Sequence, residues 1–74
     1  MATTILQDKW GWFWRDEGDG TATSLSDPDT ALRVPHPIHH VQRPVVIVQD
    51  GRPTGHGDPL AERIALHCID KGVW

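Results

Sequence analysis

Proline at 28, 35, 37, 44, 53 and 59, together with seven glycines, punctuates the 74-residue chain so closely that it can hold only a few short elements between tight turns. A single domain of this size buries only roughly 60% of the surface of its unfolded form, so every large apolar side chain matters to its core. No covalent staple is available. Cys68 is the only cysteine, which rules out an internal disulfide and fits a reducing compartment.

Residues 2 to 7, "ATTILQ", and 10 to 15, "WGWFWR", are rich in β-branched and aromatic types and read as strands on either side of Asp8-Lys9. The turn "DEGDG" and the segment "TATSLS" then predict a hairpin return. Ser26 or Asp27 can cap a short helix at 28 to 33 that begins with Pro28 and stops before Pro35. With three prolines and no periodicity, residues 34 to 44 read as a Pro/His-rich extended connector. The segment "VVIVQ" at 45 to 49 suits a central strand; Asp50-Gly51 signals a hairpin turn, and Pro53 leaves only an edge strand or a loop beyond it.

A C-terminal helix over 59 to 71 has Asp58 as N-cap, Pro59 at its first position and Gly72 as its stop. Spacing of about 100° per residue places Leu60, Ala61, Ile64, Ala65, Cys68 and Ile69 on one broad apolar arc, with Arg63, His67 and Asp70 opposite and Leu66 outside it. The expected fold is α+β: a small antiparallel sheet of three to four strands, this helix packed on one face, and one short helix.

Three of the four tryptophans and the only phenylalanine occupy five consecutive positions, Trp10-Gly11-Trp12-Phe13-Trp14. In a regular strand Trp10, Trp12 and Trp14 share one face, with Phe13 and Arg15 on the other. The expectation is that the helix covers the tryptophan face, with Trp12 deepest and Trp10 and Trp14 nearer its edges. Phe13 and Arg15, beside Asp16 and Glu17, are then free to anchor a partner, and Trp10 and Trp14 at the edges are further candidates for that surface, since Trp and Arg are enriched at interface hot spots.

Histidine is the second concentration, at 36, 39, 40, 56 and 67. His36, His39, His40 and His56 are the candidate ligands of a zinc domain, with Asp58 or Cys68 to complete a shell, but they lie in a Pro-rich stretch and no Cys-x-x-Cys or His-x-x-x-His pair falls on a predicted element to support it. Catalytic groupings are weaker. Cys68 falls in the last helical turns, where the helix dipole disfavours a thiolate, and His56 with Asp58 has no nucleophile beside it.

Net charge is −3 with no clustered Lys and Arg, which argues against duplex nucleic acid. Stacking on single strands is disfavoured by the acidic turn that follows the tryptophans. The aliphatic run Val45–Val48 is far short of a membrane span of about 20 residues, and the N-terminus lacks the pattern of a secretory signal, so the expectation is a cytoplasmic protein without a membrane role. Surplus aromatics without an active-site constellation predict a non-enzymatic protein-binding module needing no cofactor. Small inhibitors or adaptors of bacteria and phages that act on host complexes are of this type, and a homodimer is a further option; the alternative is a histidine-based zinc domain.

Overall fold

The computed structural model describes residues 3–26 and 33–74. It is α+β, with strands β1 (Thr4–Gln7), β2 (Phe13–Asp16), β3 (Thr21–Ser24), β4 (Pro35–Pro37), β5 (Val45–Gln49) and β6 (Arg52–Pro53), and the helix α1 (Pro59–Asp70). The strands form one antiparallel sheet in the order β4-β3-β2-β1-β5-β6. There are six strands rather than three or four, because the proline-bearing segments at 35–37 and 52–53 pair at the two edges. The short helix expected at 28 to 33 lies, but for Arg33, outside the described residues.

Antiparallel pairing explains how the edges accommodate proline. Ile38 N–H donates to the Gly20 carbonyl at 3.0 Å, and Ala22 pairs with His36 two residues along the same register. Hydrogen-bonded positions alternate along such a pair, so His36 turns its backbone toward β3 while Pro35 and Pro37 turn theirs to the open edge. At the other edge Thr54 N–H donates to the Ile47 carbonyl at 3.1 Å and Val48 faces Pro53, so Pro53 also has its nitrogen outward. Asp50 and Gly51, with φ of 53° and 77°, make the two-residue hairpin turn that the sequence signals.

A register shift opposite Ile5 and Leu6 inserts one extra residue into β5: Val48 faces Ile5, Val46 faces Leu6, and Ile47 lies between. Bulging lets two consecutive side chains serve one layer. Ile47 and Val48 are both fully buried with Ile5, Leu25, Ala61 and Ala65 on the helix side, and Phe13, Leu66, Ile69 and Trp74 close over them. The reverse face carries a second cluster of Leu6, Ala22 and Val41, with Trp14, Ile38 and Val46 packed against it. The chain from β4 to β5, expected as a plain connector, thus contains an edge strand, a 3-10 turn (Ile38–His40) and two residues of this second core.

α1 starts and stops where its caps require. Asp58 accepts from Leu60 N at 3.1 Å, and Gly72 N and Val73 N donate to the carbonyls of Ile69 and Cys68, the Schellman arrangement. Its buried stripe, however, runs through Ala61, Ala65, Leu66 and Ile69, while Leu60 and Ile64 are 60% and 40% exposed. Relative to the expected arc the helix is rotated toward Leu66, which packs against the helix-side core instead of lying outside it. The two alanines explain the choice, since small side chains let the helix approach β5 closely.

That approach is tightest at Gly57, just before the helix, where a Cβ would strike the Cγ2 of Ile47. Ile47 is fully buried and has nowhere to retreat. Gly57→Ala is expected to cost about 1–3 kcal/mol through overpacking, read as a lowered urea midpoint at unchanged slope; wild-type stability would show that α1 does not press on β5 there.

Candidate functional site

β1 ends at Gln7, and the next residue organises everything up to β2. Asp8 is only 8% exposed. Its Oδ1 accepts from the backbone N–H of Trp10 at 2.9 Å and of Trp12 at 3.0 Å, and its Oδ2 accepts from the indole Nε1 of Trp14 at 3.0 Å. The Asp8 backbone closes the same loop, its N–H donating to the Trp12 carbonyl and its carbonyl accepting from Gly11 N–H, each at 3.0 Å. Lys9 N–H donates to the Gln42 carbonyl at 2.9 Å, tying the loop to the segment before β5. An aspartate that caps its own following turn in this way competes with strand pairing.

The tryptophans are consequently not a strand stripe. β2 begins only at Phe13, and the period of two cannot be run backwards through the turn. Trp12, expected deepest, is 56% exposed, and Trp10 is 62% exposed with the Lys9 Nζ 4.4 Å above its ring centre. Trp14 alone packs inward, on the face away from α1. Phe13, expected to face a partner, instead packs against the helix-side core, its ring 4.9 Å from that of Trp74 at a tilt of 47°. The cover sought for Phe13 in a partner is the chain's own last residue.

Strand register locates the exposed indoles. Gln7 pairs with Phe13 and with Val45, so the 8–12 loop and the start of β5 lie at one end of the sheet. Val34, just before β4, is at this end, as is Val73, whose carbonyl accepts from Arg33 Nη1 at 2.8 Å beside the Trp74–Phe13 contact. Among the described residues, the exposed large apolar side chains are Trp10, Trp12, Val34, Val45, Leu60, Ile64 and Val73, and all but Leu60 and Ile64 belong to segments at this end. Those two line a shallow groove on α1 with Arg63, Leu66 and His67.

The other residues singled out from the sequence sit elsewhere. Arg15 Nε bonds Glu17 Oε1 at 2.8 Å, and the same oxygen accepts from Thr23 Oγ1 at 2.8 Å. Asp16 accepts from Gly18 N at 2.8 Å, and Asp19 accepts from the backbone and hydroxyl of Thr21. Asp16 and Glu17 therefore serve the β2–β3 turn, at the opposite end of β2 from Trp10 and Trp12. The hydrogen bond from Arg15 holds the Glu17 carboxyl below its ordinary value, against a smaller cost of desolvation.

The histidines form an aromatic stack rather than a convergent ligand set. The His36 ring lies 5.9 Å from that of His40 and meets Trp14 edge-on at 6.2 Å, while His39 meets His40 at 4.8 Å. His56 is outside this group, in the β6–α1 loop, its N–H donating to Thr54 Oγ1 at 3.2 Å. Among the described residues, no group of three or more His, Cys, Asp or Glu side chains is placed to hold a metal ion. Among the same residues, no helix is long and apolar enough to cross a membrane. Compared with known proteins, the chain matches no family, no curated protein and no solved structure.

Two predictions follow from this geometry. Asp8→Ala leaves three donors without their acceptor and is expected to cost about 2–3 kcal/mol and to raise fast backbone motion at Trp10 and Trp12, seen by 15N relaxation. Asp8→Asn should rescue only in part, because its NH2 must face a donor where a carboxylate oxygen stood; a rigid loop in Asp8→Ala would deny the carboxylate its role. For Glu17, ionisation is easier in the folded than in the unfolded chain, so its contribution to stability is complete above its ordinary value of 4.5 and is lost as pH falls below that. The stability gap between wild type and Glu17→Gln should shrink between about pH 6 and about pH 3; a gap constant with pH would contradict the assignment.

Proposed function

We propose that this protein is a non-catalytic protein-binding module whose contact surface is the end of the sheet carrying Trp10 and Trp12. The observation that carries the proposal is the exposure of both indoles, 62% and 56%, on a loop fixed by a buried carboxylate. A chain short of apolar volume leaves two of its largest side chains outside the core, although it draws in Trp14 and Trp74. Rigid, exposed tryptophans are the residues that most often dominate interface energetics, and fixing them before contact lowers the entropy cost of binding. Val34, Val45 and Val73 add exposed apolar side chains at the same end of the sheet.

In this reading Phe13 and Trp14 support the surface from within, and Asp16 and Glu17 shape a distant turn. The type of protein it fits is a small inhibitor or adaptor that acts on a larger assembly in a reducing compartment, as bacteria and phages use; this is an analogy of size and chemistry. Among the described residues no comparable grouping favours a zinc domain, since His56 lies in the β6–α1 loop, His36 stacks on His40 and His39 meets His40 edge-on.

Trp10→Ala with Trp12→Ala should leave the melting curve close to wild type, because exposed substitutions usually change stability by no more than about 0.5 kcal/mol each. The same variant should lose the proteins that immobilised wild type captures from a lysate, identified by quantitative mass spectrometry. Unchanged capture would place the functional surface elsewhere, and unfolding would return the tryptophans to a structural role.

A further inference from the structure

Among the described residues, two exposed cations flank the tryptophan loop. Lys9 lies over Trp10, and Arg43 follows Gln42, whose carbonyl holds the Lys9 N–H, so both cations border the exposed indoles. Both are exposed, and neither forms an ion pair among the described residues, where Arg15–Glu17 is the pair present. The one carboxylate of the loop, Asp8, is buried and already accepts three N–H donors. Arg43 is held at φ 48°, a left-handed conformation that disfavours a side chain with a Cβ. Strain of this kind is tolerated where the surrounding structure demands a particular presentation.

At the far end of the strands carboxylates are in the majority. Asp16, Glu17 and Asp19 line the β2–β3 turn, and Asp50 stands in the β5–β6 turn, which Gly51 N–H ties to the Thr3 carbonyl at 3.0 Å beside the start of β1. Among the described residues, two exposed cations without an ion pair thus flank the exposed indoles, while Asp16, Glu17, Asp19 and Asp50 outnumber Arg15 and Arg52 at the other end.

From this arrangement we infer that the partner presents an acidic protein surface: an apolar centre that receives Trp10 and Trp12, rimmed by Asp or Glu side chains that meet Lys9 and Arg43. The inference rests on the reading that this end binds a protein. Carboxylates that meet these two cations at the rim of the contact favour the right partner and raise the association rate at low salt. Two cations on a net-negative chain suit a few carboxylates around an apolar centre better than the dense phosphates of a nucleic acid or an anionic bilayer, which reward many cations at once.

The test pans a displayed library of random dodecapeptides against the immobilised full chain and titrates the recovered peptides against variants. Acidic residues flanking aromatic or aliphatic ones should be enriched, and Trp12→Ala should weaken those peptides by about tenfold or more. Lys9→Glu with Arg43→Glu should weaken them by about three- to tenfold at low salt and hardly at all near 0.5 M salt, where exposed charges are screened. Peptides that depend on Trp12 but are neutral or basic, and indifferent to charge reversal, would overturn the inference while leaving the binding surface in place. Recovery of no peptide, or only of peptides indifferent to Trp12→Ala, would remove both. Trp12-dependent flotation with phosphatidylserine-containing vesicles but not with phosphatidylcholine alone, without acidic peptides, would overturn it in favour of a lipid surface.

Discussion

A single buried carboxylate decides where the aromatic residues of this protein go. Asp8 gathers two backbone N–H groups and one indole N–H around its two oxygens, with no cation among its hydrogen-bond partners. Hydrogen bonds to an ionised acceptor are roughly twice as strong as neutral ones, which is enough to hold residues 8–12 as a closed loop instead of a continuation of β1 or β2. Once that loop is closed, Trp14 is drawn inward by its indole nitrogen and the peptide groups of Trp10 and Trp12 turn toward Asp8 while their rings stay largely exposed. Which of these rings join the core and which stay exposed is thereby set by one side chain.

The remaining architecture makes a small amount of apolar volume cover two faces. Bulging in β5 commits Ile47 and Val48 together to the helix layer, and Ala61 and Ala65 let α1 settle onto them. The opposite layer is assembled from the chain between β4 and β5, whose Ile38 and Val41 lie with Leu6, Ala22 and Trp14. Trp74 then closes the rim of the helix layer over Phe13. Neither layer depends on a long element, which is how a chain interrupted by six prolines can build both.

Much of this was legible where local chemistry is decisive. Asp58-Pro59 and Gly72 bound α1, Asp50-Gly51 makes the turn it signals, and "VVIV" is a strand paired on both sides. The tryptophan segment was misread because alternation was extended across a turn that breaks it; Asp8 followed by Gly11 and by the N–H groups of Trp10 and Trp12 is the local signal that could have revealed Trp12 as a surface residue. The rotation of α1 was hidden for a different reason, since an apolar arc says which residues can be buried, whereas the bulge and Gly57 say how close the helix comes and so which of them are. β4 and β6 were hidden by their prolines, which exclude a central strand but not an edge whose nitrogen points outward.

Those same prolines reach beyond the fold. An open sheet ordinarily ends in a row of unsatisfied amide donors, a zipper tooth ready for any extended chain that drifts past. Here Pro35, Pro37 and Pro53 take up the outward positions of both edges, and a proline has no hydrogen to offer. Strand addition, the cheapest route by which one protein captures another or stacks on its own copies, finds its teeth missing on both sides. An extended chain arriving at either described edge would find carbonyl acceptors there but no N–H donors at the proline positions, which weakens pairing of that kind and growth into a fibre.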